Sequence, residues 1–195
     1  MSNPFDFNEE YKKGNLWGSE PSRLLEIALK YVSKGTVLDI GAGQGRSTLP
    51  LARKGFDVTC IDTAQTGIEQ ILSVARAEGL SINAVTGDIR KFPMQEYDLI
   101  LAESSLPFIP EARDVIERMK RATRVNGLNV VDVFTRDNPI TFAYMFDQGE
   151  LESCYAGWRI IKYKELKGPP HKDGDGPVHQ HAVALLVAQK QEGQK

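Results

Sequence analysis

Cysteine is scarce: Cys60 and Cys154 are the only two in 195 residues. A disulfide framework is therefore excluded, and buried free thiols in a reducing compartment are the expectation. Long apolar runs are missing as well. No stretch approaches the roughly 18 residues that a membrane-spanning helix needs. The stretch Met1-Ser2-Asn3-Pro4-Phe5-Asp6 has neither the basic nor the apolar region of a secretion signal. A cytoplasmic protein without a membrane partner is expected. Charge of one sign is also lacking, since the net charge is −2. That leaves no broad basic field for nucleic acid. No repeat or low-complexity segment is visible. What remains is an ordinary globular composition, 41% hydrophobic and 26% charged. The length suits a single domain over 1–195.

The most informative stretch is Thr36-Val37-Leu38-Asp39-Ile40-Gly41-Ala42-Gly43-Gln44-Gly45-Arg46. An apolar strand ends on an acid, glycines follow at 41, 43 and 45, and a helical pattern begins. Glycine at a strand-to-helix turn lets a ligand approach the backbone, and the helix start adds unpaired N–H donors. A nucleotide-type cofactor site is indicated. The dinucleotide fingerprint G-x-G-x-x-G is broken, because the third glycine comes one residue early and Arg46 stands in its place. The pattern instead resembles motif I of class I S-adenosylmethionine (SAM) methyltransferases. That resemblance implies SAM as cofactor, with Asp39, Gly41, Ala42, Gly43 and Gly45 around it.

Apolar periodicity orders the rest of the chain. A helix opens at Pro21 with Leu24, Leu25, Ala28 and Leu29 on one face. Strand 37–40 leads to a helix over 45–54, stopped by Gly55. Strand 56–62 precedes a helix carrying Ile68, Ile71, Leu72 and Ala75, stopped by Gly79. Strands follow at 82–85 and 97–102, then a helix from Pro110. A turn at Asn126-Gly127 precedes strand 128–134. Alternating strands and helices imply a doubly wound α/β sheet, parallel and covered on both faces. Stretches 158–163 and 182–188 read as two further strands, antiparallel across a loop at 167–178. The methyltransferase resemblance implies a Rossmann-like, seven-stranded, mostly parallel sheet with an antiparallel last strand.

Ligands of open α/β sheets sit beyond the carboxyl ends of the strands. Asp62, with Thr63 beside it, ends the second strand, where a carboxylate suits ribose hydroxyls; a helix N-cap is the other reading. Asp88 follows the third strand and resembles the family acid that accepts from the adenine amino group, with Ile89 packing on the ring. A turn Gly-Asp is the plainer alternative. Glu103 ends the fourth strand, suited to the methionine amino group, to an acceptor, or to solvent alone. Trp17 lies in an N-terminal segment, 1–20, expected as a lid; a core-capping aromatic is the alternative.

A closer likeness spans nearly the whole chain. Trp17-Gly18, Pro21-Ser22, 38–46 and 52–58 are similar to the tellurite-resistance, TehB-like methyltransferases. So are Gly149-Glu150-Leu151, Tyr155, Trp158, 162–165 and His171-Lys172-Asp173. The resemblance implies methyl transfer to a small nucleophile. Soft S, Se or Te species such as tellurite, selenite or a thiol are the implied acceptors, with His171 and Lys172 handling them. A small organic amine, hydroxyl or carboxyl acceptor, or a SAM-binding protein without catalysis, are the alternatives. The chain departs from the family pattern at Ala42, at 103–108 and at 177–181.

All three histidines fall at 171, 179 and 181. His179 and His181 share one face of a strand, so a metal on His171, His179 and His181 competes with a polar hairpin and with an acceptor lid. Phe142, Tyr144, Met145, Phe146 and Tyr155 either wall an acceptor pocket or form the core of an inserted helical segment over 135–157.

Overall fold

The computed structural model describes residues 6–170 and 178–194. Its strands are β1 (Thr36–Ile40), β2 (Asp57–Asp62), β3 (Ile82–Thr86), β4 (Tyr97–Glu103), β5 (Thr123–Phe134), β6 (Arg159–Lys167) and β7 (Ala182–Gln189). Its helices are α1 (Phe7–Lys12), α2 (Arg23–Ala28), α3 (Thr48–Arg53), α4 (Gln65–Glu78), α5 (Ala112–Ala122) and α6 (Glu150–Cys154), with a 3-10 turn over Leu106–Phe108.

The strands form one seven-stranded sheet in the order β3-β2-β1-β4-β5-β7-β6. β1 pairs parallel with both β2 and β4, and β7 runs antiparallel to both β5 and β6. This is the Rossmann-like sheet with a reversed last strand that the sequence led us to expect. Successive residues of a strand point to opposite faces. Val37, Leu99, Leu101 and Val130 accordingly pack beneath Leu25, Ala28 and Leu51 on one side. Leu38, Ile100 and Val131 pack against Ile116 and Met119 on the other. Both layers are dry, so the central strands are apolar at most positions, with Asp39 and Asn129 as buried polar exceptions. Strand order reverses between β1 and β4, and the crevice at their carboxyl ends is where this sheet offers a site.

Three segments differ from the sequence expectation. α3 begins at Thr48, not residue 45, because Gly45 has φ +88° and the chain is still turning there. The turn expected before residue 128 is a bulge inside β5. Asn126 lies at φ +66°, and the register to β4 shifts between Tyr97 and Leu99. The inserted helical segment over 135–157 has one helix of five residues, α6. The chain before it is irregular, with an isolated bridge from Thr135 to Phe146, and Gly149 in the left-handed conformation starts the single turn. Phe146 and Tyr155 are fully buried and belong to the main core. Among the described residues no helix is long and apolar enough to cross a membrane.

Candidate functional site

A cavity of about 350 Å³ opens over the carboxyl ends of β1, β2 and β4. Its floor is the loop 41–47, which must bend sharply: Gly41, Gly43 and Gly45 all have positive φ. Gly43 also has no room for a side chain, since a Cβ would stand 2.9 Å from the Tyr11 hydroxyl. Its bare backbone thus forms the cavity floor under the N-terminal segment.

The acids at the strand ends converge here. Asp39 is buried, and its carboxylate accepts a 2.6 Å hydrogen bond from Thr48 Oγ1. Burial pushes its carboxyl up to about 7, helped by the charges of Glu103 and Asp62 and opposed by the Thr48 bond. Asp62 accepts from Gly43 N through Oδ2 and from Ala64 N through Oδ1. It therefore pins the glycine loop to the start of α4, and the carboxylate keeps acceptor capacity for a further donor. Burial raises its carboxyl, and backbone bonds from Ala64, Gly43 and Thr63 counter that. Thr63, Ile89 and Asp88 line the same cavity. Asp88 is held by Arg90, whose guanidinium also bonds Glu111; the Arg90 contact keeps the Asp88 carboxyl below its usual range.

Glu103 closes the far end. Its side chain is 6% exposed and its Oε2 accepts from Ser47 Oγ at 2.8 Å. Its Oε1 is buried with no hydrogen-bond partner among the described residues; Arg46 Nη2 stands 4.0 Å away. Ser105 Oγ, in the same wall, is also buried and unpartnered. Buried polar atoms left this way cost on the order of 1–3 kcal/mol each unless a ligand satisfies them. Ser104 is held at φ +56° by N–H and hydroxyl bonds to Asp132, whose own carboxyl is raised to about 6 by burial and by Glu103.

The N-terminal segment covers this cavity from one side. Gln44 donates to Gly14 O at 2.8 Å and to Gln70 Oε1, and it accepts from Leu16 N. Asn8 Oδ1 accepts from Thr66 N in the first turn of α4. Tyr11, Phe7 and Trp17 line the cavity, with Trp17 46% exposed. Tyr11 is buried, and desolvation pushes its hydroxyl up to about 12.

Asp39, Gly41, Ala42, Gly43, Asp62, Thr63, Asp88, Ile89, Glu103 and Trp17 thus all line one cavity. Gly45 instead shapes the turn below it, packed against Ile71 and Leu49. His171 and Lys172 lie outside the described residues. His179 and His181 have ring centroids 4.8 Å apart, and His181 stacks on Phe134 and meets the Asn138 side chain. Among the described residues no group of three acids, histidines or cysteines is arranged to hold a metal. Phe142 packs edge-on against Phe108, a cavity-lining residue. Sequence reasoning missed Tyr11, Gln44, Ser47, Ser105 and Asp132 as site residues. Only Gln44 and Ser47, beside the glycines, carried a signal.

A family model described as tellurite resistance protein TehB matches residues 7–181. The chain is 33% identical over 171 residues to the "Probable S-adenosyl-L-methionine-dependent methyltransferase TehB" of Haemophilus influenzae, covering 84% of this chain and 60% of that protein. It is 32% identical, over 84% of its length and 57% of the relative's, to "Hemagglutinin 1" of Eikenella corrodens. The chain therefore spans less than two thirds of these curated relatives. The crystal structure of TehB from Haemophilus influenzae superposes with a TM-score of 0.82 at 28% identity, covering 95% of this chain and 68% of that one.

Proposed function

The chain belongs to the TehB family, and from that membership we propose that it is a SAM-dependent methyltransferase acting on a small nucleophile. The observation that carries the reading is the donor set of the cavity. Carboxylates at the ends of four successive strands, Asp39, Asp62, Asp88 and Glu103, surround a bare glycine turn, and two buried polar atoms have no hydrogen-bond partner among the described residues. SAM is a zwitterion with an added positive sulfonium and a ribose, so it suits an acidic, open-backboned cavity. Asp62 would accept from the ribose hydroxyls, and Asp88 and Ile89 would take the adenine end. Asp39, the loop from Gly41 to Gly45, Thr63 and Glu103 would take the methionine end. When bound, SAM supplies an electrophilic methyl group on sulfur. The chain's own part is to hold that methyl in line with the nucleophile and to keep water out, with Trp17 and Tyr11 above the glycine loop. Soft S, Se or Te acceptors, handled by His171 and Lys172, are the proposed class because the family carries tellurite in its name.

Calorimetry with SAM and S-adenosylhomocysteine (SAH), followed by an SAH-release assay over a tellurite, selenite, thiol and amine panel, tests this. Micromolar binding and turnover on at least one acceptor are expected. Binding without turnover on any acceptor favours a non-catalytic role, and no binding rejects the reading. Asp62→Ala should weaken SAM binding by about 1–3 kcal/mol through the loss of its hydrogen bonds; unchanged affinity would remove the ribose role.

A further inference from the structure

The base end of the cavity is held from behind. After β3 the chain makes two overlapping turns, in which Lys91 N donates to Asp88 O and Phe92 N donates to Ile89 O. Asp88, Ile89 and Arg90 of these turns line the cavity. A short irregular loop of this kind is free to shift unless something rigid grips it. Here the grip comes from α5, at two places. Arg90 bonds Glu111, the residue that caps the start of α5. Further along the helix, Arg118 reaches back to the loop main chain. Its Nη1 donates to Ile89 O at 2.7 Å, and its Nη2 donates to Phe92 O.

Arg118 spends its charge on those carbonyls. It is half-buried, it is not among the residues that line the cavity, and among the described residues it pairs with no carboxylate. A planar guanidinium holds its donors at a fixed spacing, so one fork fixes both carbonyls relative to each other and to the helix. Charge-assisted bonds of this kind are also stronger than neutral ones. One of the two carbonyls belongs to the residue next to Asp88. Ile89 itself packs in the core cluster that contains Met119, the neighbour of Arg118 on α5. A polar group that contacts a ligand tolerates only about 0.5 Å of drift. We propose that Arg118 is a positioning residue for cofactor selection: by fixing the 88–92 turns, it sets Asp88 to accept from a purine amino group and to reject a purine carbonyl at the same place. This rests on the SAM reading above. A carboxylate accepts a hydrogen from an amino group and repels a carbonyl oxygen, so the preference depends on where Asp88 is held.

The test uses the full chain and two probes that differ only at that position. One is SAH; the other is S-inosylhomocysteine, in which a carbonyl replaces the adenine amino group. Calorimetry gives the ratio of their affinities. The wild-type chain should prefer SAH by about tenfold or more, the scale of one hydrogen bond to a charged group. Arg118→Met keeps an apolar stem. It should weaken SAH about tenfold and leave S-inosylhomocysteine nearly unchanged, bringing the ratio towards one. Arg118→Lys can reach one carbonyl but not both, and its ratio should fall between. Asp88→Ala should bring the ratio to one by itself, and adding Arg118→Met to it should lower SAH affinity little further.

A general packing role would weaken both probes alike and leave the ratio at its wild-type value. That result, in Arg118→Met or in Arg118→Lys, overturns the proposal. So does a second full loss of SAH affinity when Arg118→Met is added to Asp88→Ala. If Arg118→Met fails to fold by circular dichroism, the ratio in Arg118→Lys decides alone. A wild-type chain that binds SAH without preferring it would take the amino contact away from Asp88, and the proposal with it. One that binds no SAH would reject the SAM reading itself.

Discussion

At the scale of single residues, the site is a set of acids held in the wrong solvent. Asp39 was legible because it ends an apolar strand before glycines; its Thr48 bond and its burial were not, because both come from the loop folding back over it. Its carboxyl rises to about 7, against about 4 in an unfolded chain. Between those values the folded protein holds a proton that the unfolded chain has released. Stability therefore falls as pH rises through that window. Asp132, raised to about 6, acts in the same direction. The melting temperature of the ligand-free protein should fall between about pH 5 and pH 7 by this mechanism, and Asp39→Asn should flatten part of that slope. A cationic ligand reverses the preference. SAM affinity should increase over the same window, with proton release visible by calorimetry in buffers of different ionisation enthalpy. Asp62 shows the limit of residue-level reading: its position suggested either a ribose acceptor or a helix cap, and the structure already gives it two backbone donors from Gly43 and Ala64.

At the scale of elements, the strands were legible because both faces of the central sheet are dry, so their sequences are mostly apolar. Helix starts were less so. The approach of α1, α4 and the glycine loop was not legible at all. Gly67 lies in α4 with no positive φ, yet a Cβ there would stand 2.3 Å from Gly43 O and 3.1 Å from Tyr11. Two effects oppose each other in Gly67→Ala. Helix propensity alone would gain about 1 kcal/mol. Overpacking against backbone costs about 1–3 kcal/mol. The contact is with backbone, which gives little, so a net loss of stability in urea unfolding and weaker SAM binding are expected. A net gain would show that α4 does not seat against the loop as described. The segment before α6 was misread for a related reason: its aromatics are buried by tertiary contact, not along a helical stripe.

At the scale of the whole molecule, the last strand ties the sheet together. β7 lies between β5 and β6, and at its end Lys190 is 6% exposed. Its Nζ donates to Lys120 O and Thr123 O at 2.9 and 3.0 Å, closing the carboxyl end of α5. A cation there also meets the negative end of the helix. Lys190→Met should lower stability by about 2 kcal/mol in urea, with the fold intact by circular dichroism. Nothing local in Ala188-Gln189-Lys190 marks that role, because its partners lie about 70 residues away in the chain. The sequence by itself determined the alternation of strands and helices, the glycine turn and the acids at strand ends, since these are encoded in neighbouring residues. Only the tertiary structure decided which of those acids are dry, which oxygens are spent on backbone donors, and that Glu103 Oε1 is left over. Burial and pairing depend on groups brought together from distant parts of the chain, and the chemistry of a carboxylate follows from its surroundings.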